Sequence, residues 1–142
     1  MSVYVDSSFL VSLYLQDSHL RKARKCLVHK PEILLTPLNR AELAHSFYFQ
    51  VFRQRIRVVE AQLAWVAFEN DRSKHIWREV PLPPEIWSHS ANLAAKYGAA
   101  LGIRTLDSLH VACALELKAD RFWTFDERQE KLAKAVGLDT TA

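Results

Sequence analysis

The chain has 142 residues, 49% hydrophobic and 25% charged, a balance that excludes a disordered polypeptide and fits one ordinary soluble domain spanning residues 1–142. Three glycines and five prolines speak against a linker or low-complexity segment. The net charge of +3 and a pI near 9.0 permit a nucleic-acid partner without requiring one. Cys26 and Cys113 lie in apolar helical contexts without CxxC spacing and read as small buried side chains of a reducing compartment. The N-terminus, Met-Ser-Val-Tyr-Val-Asp, carries no basic or apolar leader, and no apolar run approaches the ~20 residues that span a bilayer. The expected location is the cytoplasm, with no membrane association.

Val3-Tyr-Val5 is a short β-branched and aromatic run that predicts a buried strand stopping at Asp6. Ser7 and Ser8 are candidate caps for a helix from Phe9 to Leu15, and a second helix is expected from about Ser18 to Val28. Ile33–Leu35 predicts the next strand. Thr36-Pro37 is a strong helix entry, with Thr as cap and Pro at the first helical position, opening a helix to about Arg53 that carries Glu42 in its second turn. A further helix is expected from Val58 to Glu69, then a strand Ile76–Val80 ended by Pro81, Pro83 and Pro84. Glu85 to Tyr97 reads as a helix closed by Gly98, and Thr105 to Lys118 as a largely buried helix. Phe122–Phe125 predicts a last strand ending in Asp126, followed by a helix ending near Gly137. Strand and helix thus alternate throughout, which implies a central parallel sheet with helices on both faces. Ligands of such sheets bind beyond the carboxyl ends of the strands.

Asp6 and Asp126 would follow strand ends, and Asp107 and Glu42 sit in early turns of helices beginning on that same side. Four carboxylates in one pocket raise each other's pKa unless a counter-charge is present. An all-oxygen site for Mg2+ or Mn2+ resolves that conflict and supplies the chemistry of phosphodiester hydrolysis. Singly, each acid has a plainer reading: Asp6 and Asp126 as caps, Glu42 as a solvated helix residue, Asp107 as a first-turn acid favoured by the helix dipole. A phosphohydrolase using a strand-end Asp nucleophile would want a second acid two residues after Asp6, where Ser8 stands. His19, His29, His45, His75 and His89 lack His-x3-His spacing, which argues against zinc.

The motifs Val-Asp6-Ser-Ser-Phe-Leu-Val, Arg-Ala-Glu42-Leu, Leu-Asp107-Ser-Leu-His-Val-Ala-Cys-Ala-Leu and Phe-Trp-Thr124-Phe-Asp126-Glu-Arg resemble, in order and separation, those of PIN-domain ribonucleases. Among these the chain is most similar to the VapC-type toxins of toxin–antitoxin pairs. The resemblance implies a single PIN-like domain with a three-layer α/β/α sandwich, acting as a Mg2+- or Mn2+-dependent endoribonuclease of a type II system. Asp6, Glu42, Asp107 and Asp126 would be its catalytic acids. Asp6, Asp107 and Asp126 would hold the metal, with Glu42 acting directly or through water. Ser8 and Thr124 match positions of small hydroxyls that support the acids. His110, three positions after Asp107, either hydrogen-bonds that carboxylate or sits in the core against a carbonyl. A cognate antitoxin and a homodimer are further implications. The rival is a non-catalytic nucleic-acid or partner-binding module that has kept the fold.

Setting the four site acids aside leaves 12 acidic residues against 19 basic ones, a positive surface around a negative pocket that suits RNA. Arg53, Arg55 and Arg57, with Arg40 and Arg104, are the candidate phosphate contacts; a solvated charge cluster at a helix end is the alternative. Phe47, Tyr48, Phe49, Val51 and Phe52 occupy several faces of one helix, and Trp65 and Phe68 follow one helix later. They fit either a groove for an antitoxin or second copy, or packing between helices.

Overall fold

The computed structural model describes all 142 residues. The chain runs β1 (Ser2–Val5), α1 (Ser7–Leu15), α2 (Leu20–Cys26), β2 (Glu32–Leu35), α3 (Pro37–Phe52) and α4 (Val58–Ser73). It continues with β3 (Arg78–Glu79), α5 (Ile86–Leu101), α6 (Thr105–Glu116), β4 (Arg121–Trp123) and α7 (Glu127–Ala135). The sheet order is β3-β2-β1-β4, and every pairing is parallel. Tyr4 stands between Leu34 and Phe122, and Val3 between Ile33 and Arg121.

The period of two along each strand builds both cores at once. Val3, Val5, Ile33, Leu35 and Trp123 point to one face, where they meet Phe9, Leu10, Leu43, Phe47 and Phe68 of α1, α3 and α4. Tyr4, Leu34 and Phe122 point to the other, against Ile86, Leu93, Val111, Ala112 and Leu132 of α5, α6 and α7. The result is the expected α/β/α sandwich. Because both faces are covered, the strands read as continuous apolar runs rather than alternating ones. No helix is long and apolar enough to cross a membrane.

Several boundaries differ from expectation, each for a local reason. The cap of α1 is Asp6, not Ser7 or Ser8: its carboxylate accepts from the Phe9 N–H, and both serines lie inside the helix. α2 covers only Leu20–Cys26, and α4 continues past Glu69 to Ser73. β3 shrinks to two exposed residues at the sheet edge, because Ile76 stays in solvent and only Trp77 turns into the core. β4 stops at Trp123, so Asp126 is not the first residue after a strand; it caps α7, accepting from the Gln129 N–H.

The aromatic residues of α3 and α4 divide between the two readings offered for them. Phe47 and Phe68 are fully buried, whereas Tyr48, Phe49 and Phe52 are exposed.

Gly98 does not close α5. The helix runs through it to Leu101, and the terminator is Gly102, at φ 62° in the left-handed region where a Cβ is strained. The two glycines should therefore respond oppositely to alanine. Gly98→Ala, whose added Cβ meets no atom within 4 Å, should raise stability by about 0.5–1 kcal/mol. Gly102→Ala should lower it by about 1 kcal/mol. Urea unfolding of both variants reads the signs, and a neutral Gly102→Ala would sink this account of the α5–α6 corner.

Candidate active site

β1 sits centrally, with β2 on one side and β4 on the other, so the chain reverses direction across the sheet between β1 and β4. That is the switch point at which an open parallel sheet leaves a crevice beyond its strand ends. A cavity of about 570 Å³ lies there, lined by Asp6, Glu42, Asp107 and Asp126 together with Ser8 and Arg104. The four acids singled out in the sequence therefore share one pocket, although they come from four separate segments.

Asp6 is the most deeply buried of the four, 1% exposed. Its Oδ1 accepts from the Phe9 N–H at 3.1 Å and from the Ser8 hydroxyl at 2.6 Å, and its Oδ2 from the Thr124 hydroxyl at 2.7 Å. Each hydroxyl also receives a bond. Ser8 Oγ accepts the Phe125 N–H and Thr124 Oγ1 accepts the Asp126 N–H, both at 2.9 Å. The two hydroxyls thus tie the carboxylate to the loop that carries Asp126. Burial pushes the Asp6 carboxyl above its ordinary range; the His110 charge and the three donors oppose that shift without cancelling it.

Glu42 is held differently. His110 Nε2 lies 2.7 Å from Glu42 Oε1, and the Ser7 hydroxyl donates to the same oxygen. On its far side His110 Nδ1 lies 2.7 Å from the Tyr4 hydroxyl. The ring therefore bridges the Glu42 carboxylate and the Tyr4 hydroxyl through its two nitrogens. Burial pulls Glu42 upward, but the hydrogen bond and charge of His110, helped by Ser7, outweigh it and hold the carboxyl below its ordinary range. His110 accordingly meets neither Asp107 nor a backbone carbonyl: its fully buried ring lies between β1 and α3.

Asp107 lies in the first turn of α6, 7% exposed, with Oδ2 accepting the Arg104 N–H at 2.8 Å. Asp126 accepts the Gln129 N–H at 3.0 Å. Neither Oδ1 of Asp107 nor Oδ2 of Asp126 takes a protein donor.

The donor set is entirely oxygen, which fits a hard divalent cation such as Mg2+ or Mn2+. The fit is one of donor chemistry: no three His, Cys, Asp or Glu side chains stand close enough together to hold one ion as they are. Arg104 lines the pocket. Arg53, Arg55 and Arg57 are exposed on the α3–α4 turn, outside the lining, with Arg57 paired to Glu60 and Arg53 over the Phe49 ring. Arg40 bonds Glu69 and also lies outside it.

Sequence reasoning passed over the part that Tyr4, Ser7 and Asn39 play here. Asn39 completes the capping box with Thr36 and donates Nδ2–H to the Val5 carbonyl at 2.7 Å, fixing α3, and with it Glu42, against the residue before Asp6. The Thr-Pro-x-Asn spacing carried that signal. The sequence marked Ser7 only as a cap and Tyr4 only as a strand residue, because both act through residues far along the chain.

The fold and this pocket define a parallel α/β/α protein with an acidic site at the strand ends. The PIN domain pattern matches residues 3–135, and the chain belongs to the PIN domain family. Its fold is shared by Mycobacterium tuberculosis VapC20, a sarcin–ricin loop cleaving toxin, at TM-score 0.71 and 16% identity, covering 98% of each chain. VapBC2 from Rickettsia felis, bound to a DNA fragment from its promoter, matches at TM-score 0.67 and 12% identity over 99% of this chain and 98% of that one. VapBC-1 from nontypeable Haemophilus influenzae matches at 0.65 and 14%, over 99% and 97%. No curated protein sequence matches the chain.

Two outcomes follow from the way the acids are held. Asp6 ionises at higher pH folded than unfolded, so its charge costs stability. The cost is absent below the unfolded value of about 3.9 and complete once pH has risen through the folded one. Asp6→Asn should thus raise Tm at neutral pH by roughly 2–4 °C, and the gap from wild type should close as pH falls toward about 4. Thermal unfolding across that range measures it, and a gap that widens in acid overturns it. His110→Leu should cost about 2–3 kcal/mol, because it strips Glu42 and Tyr4 of their partner. A urea midpoint equal to that of wild type would disprove the relay.

Proposed function

We propose that the chain, taken as one PIN-like domain over residues 1–142, is a Mg2+- or Mn2+-dependent endoribonuclease and the toxin of a type II toxin–antitoxin pair. The observation that carries this reading is the meeting of Asp6, Glu42, Asp107 and Asp126 in one oxygen-lined pocket of a PIN fold. Asp6, Asp107 and Asp126 would hold the metal. When bound, such an ion activates water and neutralises charge on a phosphodiester. Ser8 and Thr124 keep Asp6 aimed, the Arg104 N–H aims Asp107, and His110 with Ser7 keeps Glu42 ionised to accept or hold a proton at its carboxylate. Arg104 offers a cation to phosphate inside the pocket, and Arg53, Arg55 and Arg57 offer more along the outer surface.

Partners follow from the surface. Phe49, Phe52, Leu63 and Val66 are at least half exposed on α3 and α4, an apolar strip suited to an antitoxin segment or a second copy of the chain. The likeness to VapBC assemblies supports the antitoxin, and a homodimer working in the cytoplasm completes the proposal. The spacing of the acids favours one second reading, a PIN-fold module that binds RNA or a partner without cutting.

Cleavage of a panel of structured RNAs with Mg2+, Mn2+ or EDTA, beside Asp107→Asn, separates the two. Cutting should require the metal and fall at least about 100-fold in the variant. Cutting that persists when Asp6 and Asp107 are both changed to Asn would refute the assignment. Binding of RNA and Mn2+ without cutting would favour the second reading.

A further inference from the structure

A column of aromatic rings rises from the core to the lip of the acidic pocket. Trp123 is buried against Phe9, centroids 5.6 Å apart. Phe9 stacks on Phe125 at 5.7 Å and 15°, and Phe125 stacks on His19 at 4.4 Å and 9°. Phe125 thus links the buried Phe9 ring to the His19 ring. His19 ends the column. It lies exposed on the turn between α1 and α2, one face against Phe125 and the other uncovered, and its ring makes no hydrogen bond.

The position of this ring gives it a use. His19 and Phe125 line the acidic pocket and also a second cavity of about 490 Å³, whose lining includes Lys22 and Lys134. Lys22 Nζ lies 5.9 Å from the Phe125 centroid. Glu130 lines that second cavity too and pairs with Lys134 at 3.2 Å, which leaves Lys22 as its unpaired cation, so His19 stands on the wall between the acidic pocket and a cavity with one free positive charge. Phe125 is no loose neighbour: its N–H is bonded to the Ser8 hydroxyl that holds Asp6, so the column is registered to the acids. A flat ring, held parallel by a rigid partner and open on its outer face, is how proteins grip an unstacked base, while a cation beside it follows the backbone.

We propose that His19, backed by Phe125, is a stacking platform for the base of an unpaired RNA nucleotide next to the scissile phosphate. The cavity beside Lys22 receives the strand as it continues. This rests on the nuclease reading above and narrows its substrate to RNA that is single-stranded or splayed at the cut.

The test is kinetic and spectroscopic. His19→Ala and His19→Gln should raise KM for a cleaved RNA about tenfold while leaving kcat near wild type. His19→Phe, which stacks but has no ring nitrogen, should restore KM. With RNA carrying 2-aminopurine beside the cut and protein carrying Asp107→Asn, binding should quench fluorescence, and the added His19→Ala should abolish that quench. A wild-type KM in His19→Ala, or RNA bound with no quench, overturns the platform and leaves the nuclease standing. Failure of His19→Phe where His19→Gln succeeds shows a polar role and likewise overturns it. Wild-type protein that neither binds nor cuts any RNA with Mg2+ or Mn2+ overturns both proposals together.

Discussion

Asp6 places a carboxylate where water scarcely reaches, at the end of the central strand, and much of the site is arranged to answer it. Charge in such a position needs donors. Three come from within reach of the strand end: a helix N–H and two hydroxyls, one from α1 and one from the loop after β4. Those hydroxyls in turn accept the N–H groups of Phe125 and Asp126. The carboxylate thus sets the path of the loop that carries the fourth acid and starts α7. Removing either hydroxyl loosens two residues besides its own.

The four acids are not equivalent. Asp6 caps α1, Asp126 caps α7, and Asp107 lies in the first turn of α6, so three helix N-termini converge on one pocket. The partial positive charge at each end tolerates a carboxylate that would otherwise repel its neighbours. Glu42 lies deeper in its helix and borrows its stabilisation instead from a histidine and a tyrosine on the opposite core face. Tyr4 belongs to the same buried cluster as Phe122 and Leu132. The packing behind the sheet is in this way connected, through one imidazole, to the acidic pocket in front of it.

Much of this was legible in the sequence, and the reasons are local. Apolar runs of three or four residues announced β1 and β2, and Thr36-Pro37 announced α3. The pooling of the acids followed from topology alone, since parallel strands place their ends on one side. What escaped was set by contacts between distant segments. Asp6 and the two serines after it are all plausible caps, and only the fold, with Thr124 brought to the other side of Asp6, shows which residue caps and which supports. Gly98 and Gly102 differ by their backbone angles, which a sequence does not display. His110 was placed near Asp107 by helical spacing, whereas its ring leaves the helix toward Tyr4 and Glu42, 106 and 68 residues away in the chain. The ring column ending in His19 left no signal, because its members come from three separate segments.

The pairing of β1 with β4 fixes when such a site can exist. Val5 and Asp6 reach their working positions only when Trp123 and Thr124 lie beside them, joining residues 118 apart in sequence. Contacts so remote carry a large loop-closure cost that the rest of the fold must offset. During synthesis the ribosome must release residues 121–126 before the pocket closes, so a growing chain carries Asp6 and Glu42 for most of its length without Asp107 and Asp126 beside them. The pocket that gathers the four acids is therefore completed only after the last strand has been delivered.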